Sequence, residues 1–141
     1  MKAVSPELSM EVPNELANLW KAIERLDAFW VAHEVNEDAQ ADLNIAIEEI
    51  LTNVMRHNSA DEQIGLAVAA GEEAVTVEIR DRGRPFNPLA HPEPGVHAPL
   101  EQRRGGGLGI YMAIHLMDET SYERKGGYNC FRMVRRLRRR N

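Results

Sequence analysis

One cysteine, Cys130, is all that a chain of 141 residues carries. It has no second thiol for an internal disulfide or a metal-binding Cys pair, which excludes a disulfide-stapled secreted scaffold and suits a reducing compartment. Its simplest role is that of a small strand residue. Apolar runs are short too. None approaches the roughly 20 residues of a membrane-spanning helix, and Met1 to Glu11 lacks the charged and apolar regions of a signal peptide. The expected location is cytoplasmic, with no membrane partner. Two phosphate-binding signatures are also missing: no Gly-Lys-Ser/Thr closes a glycine-rich stretch, and no Gly-x-Gly-x-x-Gly follows an early strand. P-loop and dinucleotide-binding readings therefore fail. His33-Glu34 lacks the second histidine of a His-Glu-x-x-His helix, and the other histidines are scattered, which argues against a metal hydrolase.

What is present suffices for one domain over 1–141: hydrophobic residues make up 43% of the chain, enough to bury a core. The formal charge of -5 hides an asymmetry, because six arginines from Arg132 to Arg140 crowd the C-terminus while acids dominate the first half. With few aromatics nearby to stack on bases and a negative net charge, a basic solvated tail over 135–141 is expected, with no direct nucleic-acid binding.

Ser9 to Val12 alternates as a short strand does, and Pro13-Asn14 then offers a stop and a helix cap. Leu16, Leu19, Trp20, Ile23, Leu26 and Trp30 recur every three or four residues, the stripe of an amphipathic helix, with both tryptophans expected in the core. A second helix is expected from Asn36-Glu37 to His57-Asn58, its early acids complementing the positive helix end. Ile64, Leu66 and Val68, then Val75, Val77 and Ile79, alternate about a turn at Gly71 and form a hairpin buried on one face. Five prolines between Arg84 and Arg104 block any regular element, and so long a loop suits a lid. A third helix is expected over Leu108 to Met117, then two strands about Gly126-Gly127. The economical architecture is α+β: a two-layer sandwich of a mixed or antiparallel sheet with helices on one face.

Three segments carry candidate chemistry. Glu49 and Asn53, four apart on the second helix, lie one turn apart on the same face, alongside the apolar stripe. An Asn carbonyl is a hard neutral oxygen suited to Mg²⁺, and a nearby carboxylate can orient a nucleophile and take its proton. His57 continues that face. Asp81-Arg82-Gly83 ends a strongly alternating strand; its carboxylate can accept from an exocyclic amine such as that of adenine, and its glycine admits a flat ring. Arg103-Arg104-Gly105-Gly106-Gly107-Leu108-Gly109 runs straight into a helix, whose unpaired N–H groups make an anion site, with the arginines supplying cationic contacts to a terminal phosphate.

In order and spacing these segments resemble the GHKL or Bergerat ATPase superfamily shared by gyrase and sensor histidine kinases, and most closely the small bacterial anti-sigma-factor serine kinases. The resemblance covers nearly the whole chain. Glu49-x-x-x-Asn53 matches the family's N box, Asp81-x-Gly83 its first glycine box and Gly105 to Gly109 its second. It implies ATP and Mg²⁺ as cofactors, with Glu49 as catalytic base, Asn53 binding Mg²⁺ and Asp81 holding the adenine. It implies further that His57, Gly83, Arg104, Gly105, Gly106, Gly107, Leu108 and Gly109 surround the nucleotide, under a lid at about 84–106. The implied activity is that of a serine/threonine protein kinase and anti-sigma factor. Its implied partners are a sigma factor and a STAS-type anti-sigma-factor antagonist, and a homodimer follows from the resemblance alone. The alternative is an ATP-dependent partner-binding module without phosphoryl transfer. Two departures stand out: Pro85-Phe86-Asn87-Pro88 has Asn for the family's Asp, and Tyr128 to Val134 lacks the threonine that relatives often place near the adenine, leaving Asn129 as a substitute.

Overall fold

The computed structural model describes residues 7–58, 62–90 and 107–137, with the backbone alone at 107 and 108. Arg103, Arg104, Gly105, Gly106 and the lid beyond residue 90 lie outside the described residues, as does the chain after 137.

The elements are β1 (Leu8–Val12), α1 (Leu16–Ala32), α2 (Glu37–His57), β2 (Ile64–Ala70), β3 (Ala74–Asp81), a 3-10 turn (Pro88–Ala90), α3 (Gly107–Leu116), β4 (Glu119–Lys125) and β5 (Tyr128–Arg136). The strands form one sheet in the order β1-β2-β3-β5-β4, every neighbouring pair antiparallel. The helices pack on one face, as an α+β two-layer sandwich requires. No described helix is long and apolar enough to cross a membrane.

Period-two alternation decides which side chains face the helices. Leu66 stands opposite Met10 and Ile79, and Ile79 opposite Phe131, so one buried row crosses four strands. The same alternation carries Val77 and Ile79 on to Asp81, which therefore ends β3 facing inward with a carboxylate at 6% exposure. Above the sheet lies α2, whose Leu43, Ala46, Ile47, Ile50, Leu51 and Val54 are buried. Each large one removed from water contributes about 2 kcal/mol.

Trp30 joins that core at 0% exposure, its indole N–H donating to Asn44 Oδ1 at 2.8 Å, while Asn44 Nδ2 donates to Asp27 at 2.7 Å. This chain clamps α1 to α2. Trp20 departs from expectation: it is 55% exposed, because Leu19, Ala22, Leu26 and Trp30 define the buried arc and residue 20 falls outside it. Asn14 is likewise not a cap. Glu15 precedes α1, and the Asn14 amide instead donates to the Asn58 carbonyl just past the end of α2, at 3.3 Å. The basic tail begins later than expected, since 135 and 136 are strand residues. Arg135 bridges α2 and β4 through Asp42 at 3.0 Å and Asp118 at 4.0 Å.

Candidate nucleotide site

Glu49, Asn53 and His57 succeed one another at four-residue intervals on α2, the spacing that stacks side chains along one helix face. Asn53 does not lie beside the apolar stripe as expected. It is buried at 4% exposure, and its Nδ2 donates to the Glu49 carbonyl at 2.9 Å. That hydrogen bond uses the amide's donor end on the helix and leaves Oδ1, the hard neutral oxygen, as the end available to a cation.

Gly109, the last glycine of the glycine-rich segment, meets α2 at this point. A Cβ built on Gly109 would lie 2.0 Å from Glu49 Oε2 and 2.8 Å from Cδ, so the backbone at the start of α3 rests directly on the Glu49 carboxylate. A side chain here would drive that carboxylate out of place. Asp42, one end of α2's seam with α3, connects through Arg135 to Asp118 just past α3's end. The two contacts together run α3 antiparallel to α2. α3 starts at Gly107, one residue before the expected start at Leu108, and ends at Leu116, one before the expected end.

Asp81 approaches α2 from the sheet. Its Oδ1 accepts from Gly83 N–H at 2.8 Å and from Asn129 Nδ2 at 3.0 Å, Asn129 being its direct cross-strand partner on β5. Gly83 is forced. A Cβ there would sit 2.8 Å from Asp81 Oδ1, which must shift, and 3.1 Å from the His57 backbone carbonyl, which must give by a few tenths of an ångström. Gly83→Ala is therefore expected to displace the Asp81 carboxylate and weaken ATP binding about tenfold, or about 1.4 kcal/mol. Isothermal titration would detect the loss, and unchanged affinity would exclude Asp81 from the nucleotide contacts.

Asn129 is the residue whose role sequence reasoning misjudged. It is not an open adenine contact: at 5% exposure all its hydrogen-bonding capacity is spent within the protein. Nδ2 donates to Asp81 Oδ1, to the Arg84 carbonyl at 2.9 Å and to the Gly83 carbonyl at 3.5 Å. Oδ1 accepts from Phe86 N–H at 3.2 Å and from the Tyr122 hydroxyl at 2.5 Å. Arg124 adds a bond to the Gly83 carbonyl at 2.6 Å. Tyr122 and Arg124 carry no motif, and only the β4–β5 register, which sets Arg124 opposite Asn129, reveals them.

His57, Asp81, Phe86, Asn129, Ile50 and Ile79 are among the residues lining a cavity of about 10 Å³ between α2 and the sheet. The His57 and Phe86 rings stack across it, centroids 4.2 Å apart and 22° from parallel. Such a volume holds about one water molecule. That space is too small for a purine while the two rings are stacked.

The residues fit a magnesium nucleotide. Mg²⁺ bound with a triphosphate needs only one or two protein oxygens, the rest coming from phosphate and water. Asn53 Oδ1 supplies one, and among the described residues no group of three or more His, Cys, Asp or Glu side chains forms a protein-only cage.

The profile of the histidine kinase-like ATPase domain matches residues 12–135. Serine-protein kinase RsbW of Bacillus velezensis is 31% identical over 129 residues, covering 85% of this chain and 79% of that protein. RsbW of Oceanobacillus iheyensis is 30% identical over 98 residues, 61% of this chain and 59% of that protein, so the match spans little more than half of that relative. Among solved structures, the RsbU and RsbW domains of Rv1364c from Mycobacterium tuberculosis superpose with a TM-score of 0.66 at 19% identity, covering 99% of this chain and 34% of that one. The SiaB–SiaC complex from Pseudomonas aeruginosa follows at 0.61 and 16%, covering 94% and 91%. Both structures share the fold. With the profile matching residues 12–135, this protein belongs to the histidine kinase-like ATPase domain family.

Proposed function

We infer that this chain is a serine/threonine protein kinase acting as an anti-sigma factor, which uses Mg-ATP to phosphorylate a STAS-type antagonist in a bacterial partner-switching pathway. The observation that carries the reading is the contact of the Glu49 carboxylate with the Gly109 backbone, with Asn53 one turn away. A carboxylate, a carboxamide and a helix start are thereby close together, which supports the roles of base, cation ligand and anion site.

The adenine lies against Ile50, Val54 and Ile79, with its 6-amino group donating to Asp81. Gly105 to Gly109 and the first N–H groups of α3 hold the phosphates, assisted by Arg104. Asn53 Oδ1 would hold Mg²⁺, which would supply neutralisation of the phosphate charge. Glu49 accepts the proton of the acceptor serine hydroxyl; that oxygen bonds to the γ-phosphorus, the bond from γ-phosphorus to the bridging oxygen breaks, and ADP departs. Residues 84–106 act as the lid. The protein works in the cytoplasm, where a sigma factor is bound while unphosphorylated antagonist is scarce, and it pairs as a homodimer.

Incubation with γ-labelled ATP and purified STAS-type proteins tests the assignment. Label on a serine of an acceptor supports it; nucleotide-dependent complexes that never acquire label would replace it with a binding module.

A further inference from the structure

On the assumption that the kinase reading holds, we propose that the acceptor protein docks on an apolar spot formed by Ile45 of α2 and Met112 of α3, on the outer surface of the helical layer beside Glu49. Ile45 is 43% and Met112 49% exposed, high for side chains with nothing polar to offer water. Their placement follows from the seam between the two helices. Glu49 and Gly109 touch, and Asp42 and Asp118 meet through Arg135, so the helices run antiparallel. Ile45 lies one turn from Glu49, about 6 Å along its axis, and Met112 just under a turn from Gly109, about 4.5 Å along its axis, in the same direction. Both fall on one side of the carboxylate.

The geometry selects the occupant. Among the described residues the inner side of the seam is filled by Ala46, Ile110 and Ala113, all at 1% exposure or less, which leaves the outer side, where this spot lies, for a serine to approach Glu49. Charge points the same way. Of the four helix-surface neighbours of Ile45, namely Ala41, Asp42, Glu48 and Glu49, three are acidic; Asp42 is paired with Arg135, so Glu48 and Glu49 carry the charge that a partner meets. The partner must bring an apolar side chain ringed by basic or neutral groups. A second copy of this chain is disfavoured, because a two-fold contact would set the same carboxylates against themselves.

The test uses the full-length protein and each STAS-type protein of the source genome, purified singly, with γ-labelled ATP. Ile45→Asp and Met112→Asp, both at exposed positions, are expected to raise the KM for the labelled acceptor at least about tenfold, with ATP affinity unchanged within about twofold. Val31→Asp, on α1 and away from the seam, should leave that KM unaltered. An unchanged acceptor KM in both seam variants overturns the docking site. Conversion of a dimer to a monomer by either variant, seen by sedimentation, assigns the spot to self-association and also overturns it. If wild-type protein binds ATP but labels no acceptor, the kinase reading fails and this surface falls with it.

Discussion

Glu49→Gln is expected to lower the rate of phosphoryl transfer by roughly 10²–10⁴-fold, the usual contribution of a positioned general base. The substitution keeps size and polarity, so the contact with Gly109 survives and only the ability to take a proton is lost. ATP affinity should change by no more than about twofold, since neither the adenine pocket nor Asn53 Oδ1 is touched. The comparison that matters is single-turnover transfer against titration on the same preparation. Gly109→Ala offers a second route to the same defect: the glutamate stays but its carboxylate is expelled from the 2.0 Å position that the new Cβ takes. Parallel losses in both variants would tie the activity to the position of this carboxylate. Full transfer activity in Glu49→Gln would remove the residue from the chemistry.

The second large effect is on stability as well as binding. Asn129→Ala deletes five hydrogen bonds at once and strands the Phe86 N–H, the Arg84 carbonyl and one side of Asp81. With net contributions of about 0.5–1.5 kcal/mol each and incomplete rescue by water, a loss of about 3 kcal/mol is expected. That corresponds to a fall of roughly 10 °C in Tm. Asn129→Asp separates charge from shape. It sets two carboxylates against each other where a 3.0 Å hydrogen bond now stands, which raises the folded-state pKa of the pair. The penalty is then full at neutral pH and shrinks as the pH falls through that raised value, opposite in sign to a salt-bridged aspartate. Thermal melts across pH would show it. A variant as stable as wild type at neutral pH would contradict the network.

Much of this was legible in the chain, and the reasons differ by element. The helices and strands announce themselves because burial on one face enforces period, as in α2, where Leu43, Ile47, Ile50, Leu51 and Val54 leave little choice of phase. The candidate site was legible through Glu49, Asn53, Asp81 and Gly109 because their chemistry demands fixed spacing within a segment. What spacing cannot convey is register between segments. Asn129 is set opposite Asp81 by the β3–β5 pairing, and Tyr122 opposite Phe131 by the β4–β5 pairing. The burial of Asn53 was missed for a related reason: no pattern within α2 announces what packs against it from other segments. Trp20 shows the reverse error, an apolar residue within reach of the stripe but outside the arc that the sheet covers.

Calorimetric titration of ATP with and without Mg²⁺, on wild type and on Asn53→Ala, tests most directly whether α2 and the glycine-rich turn face one nucleotide. Wild type is expected to bind ATP more tightly with Mg²⁺ than without, and Asn53→Ala to lose that metal-dependent gain while keeping metal-free binding. Wild-type protein indifferent to millimolar ATP, or an Asn53→Ala variant with the magnesium effect intact, would contradict the account.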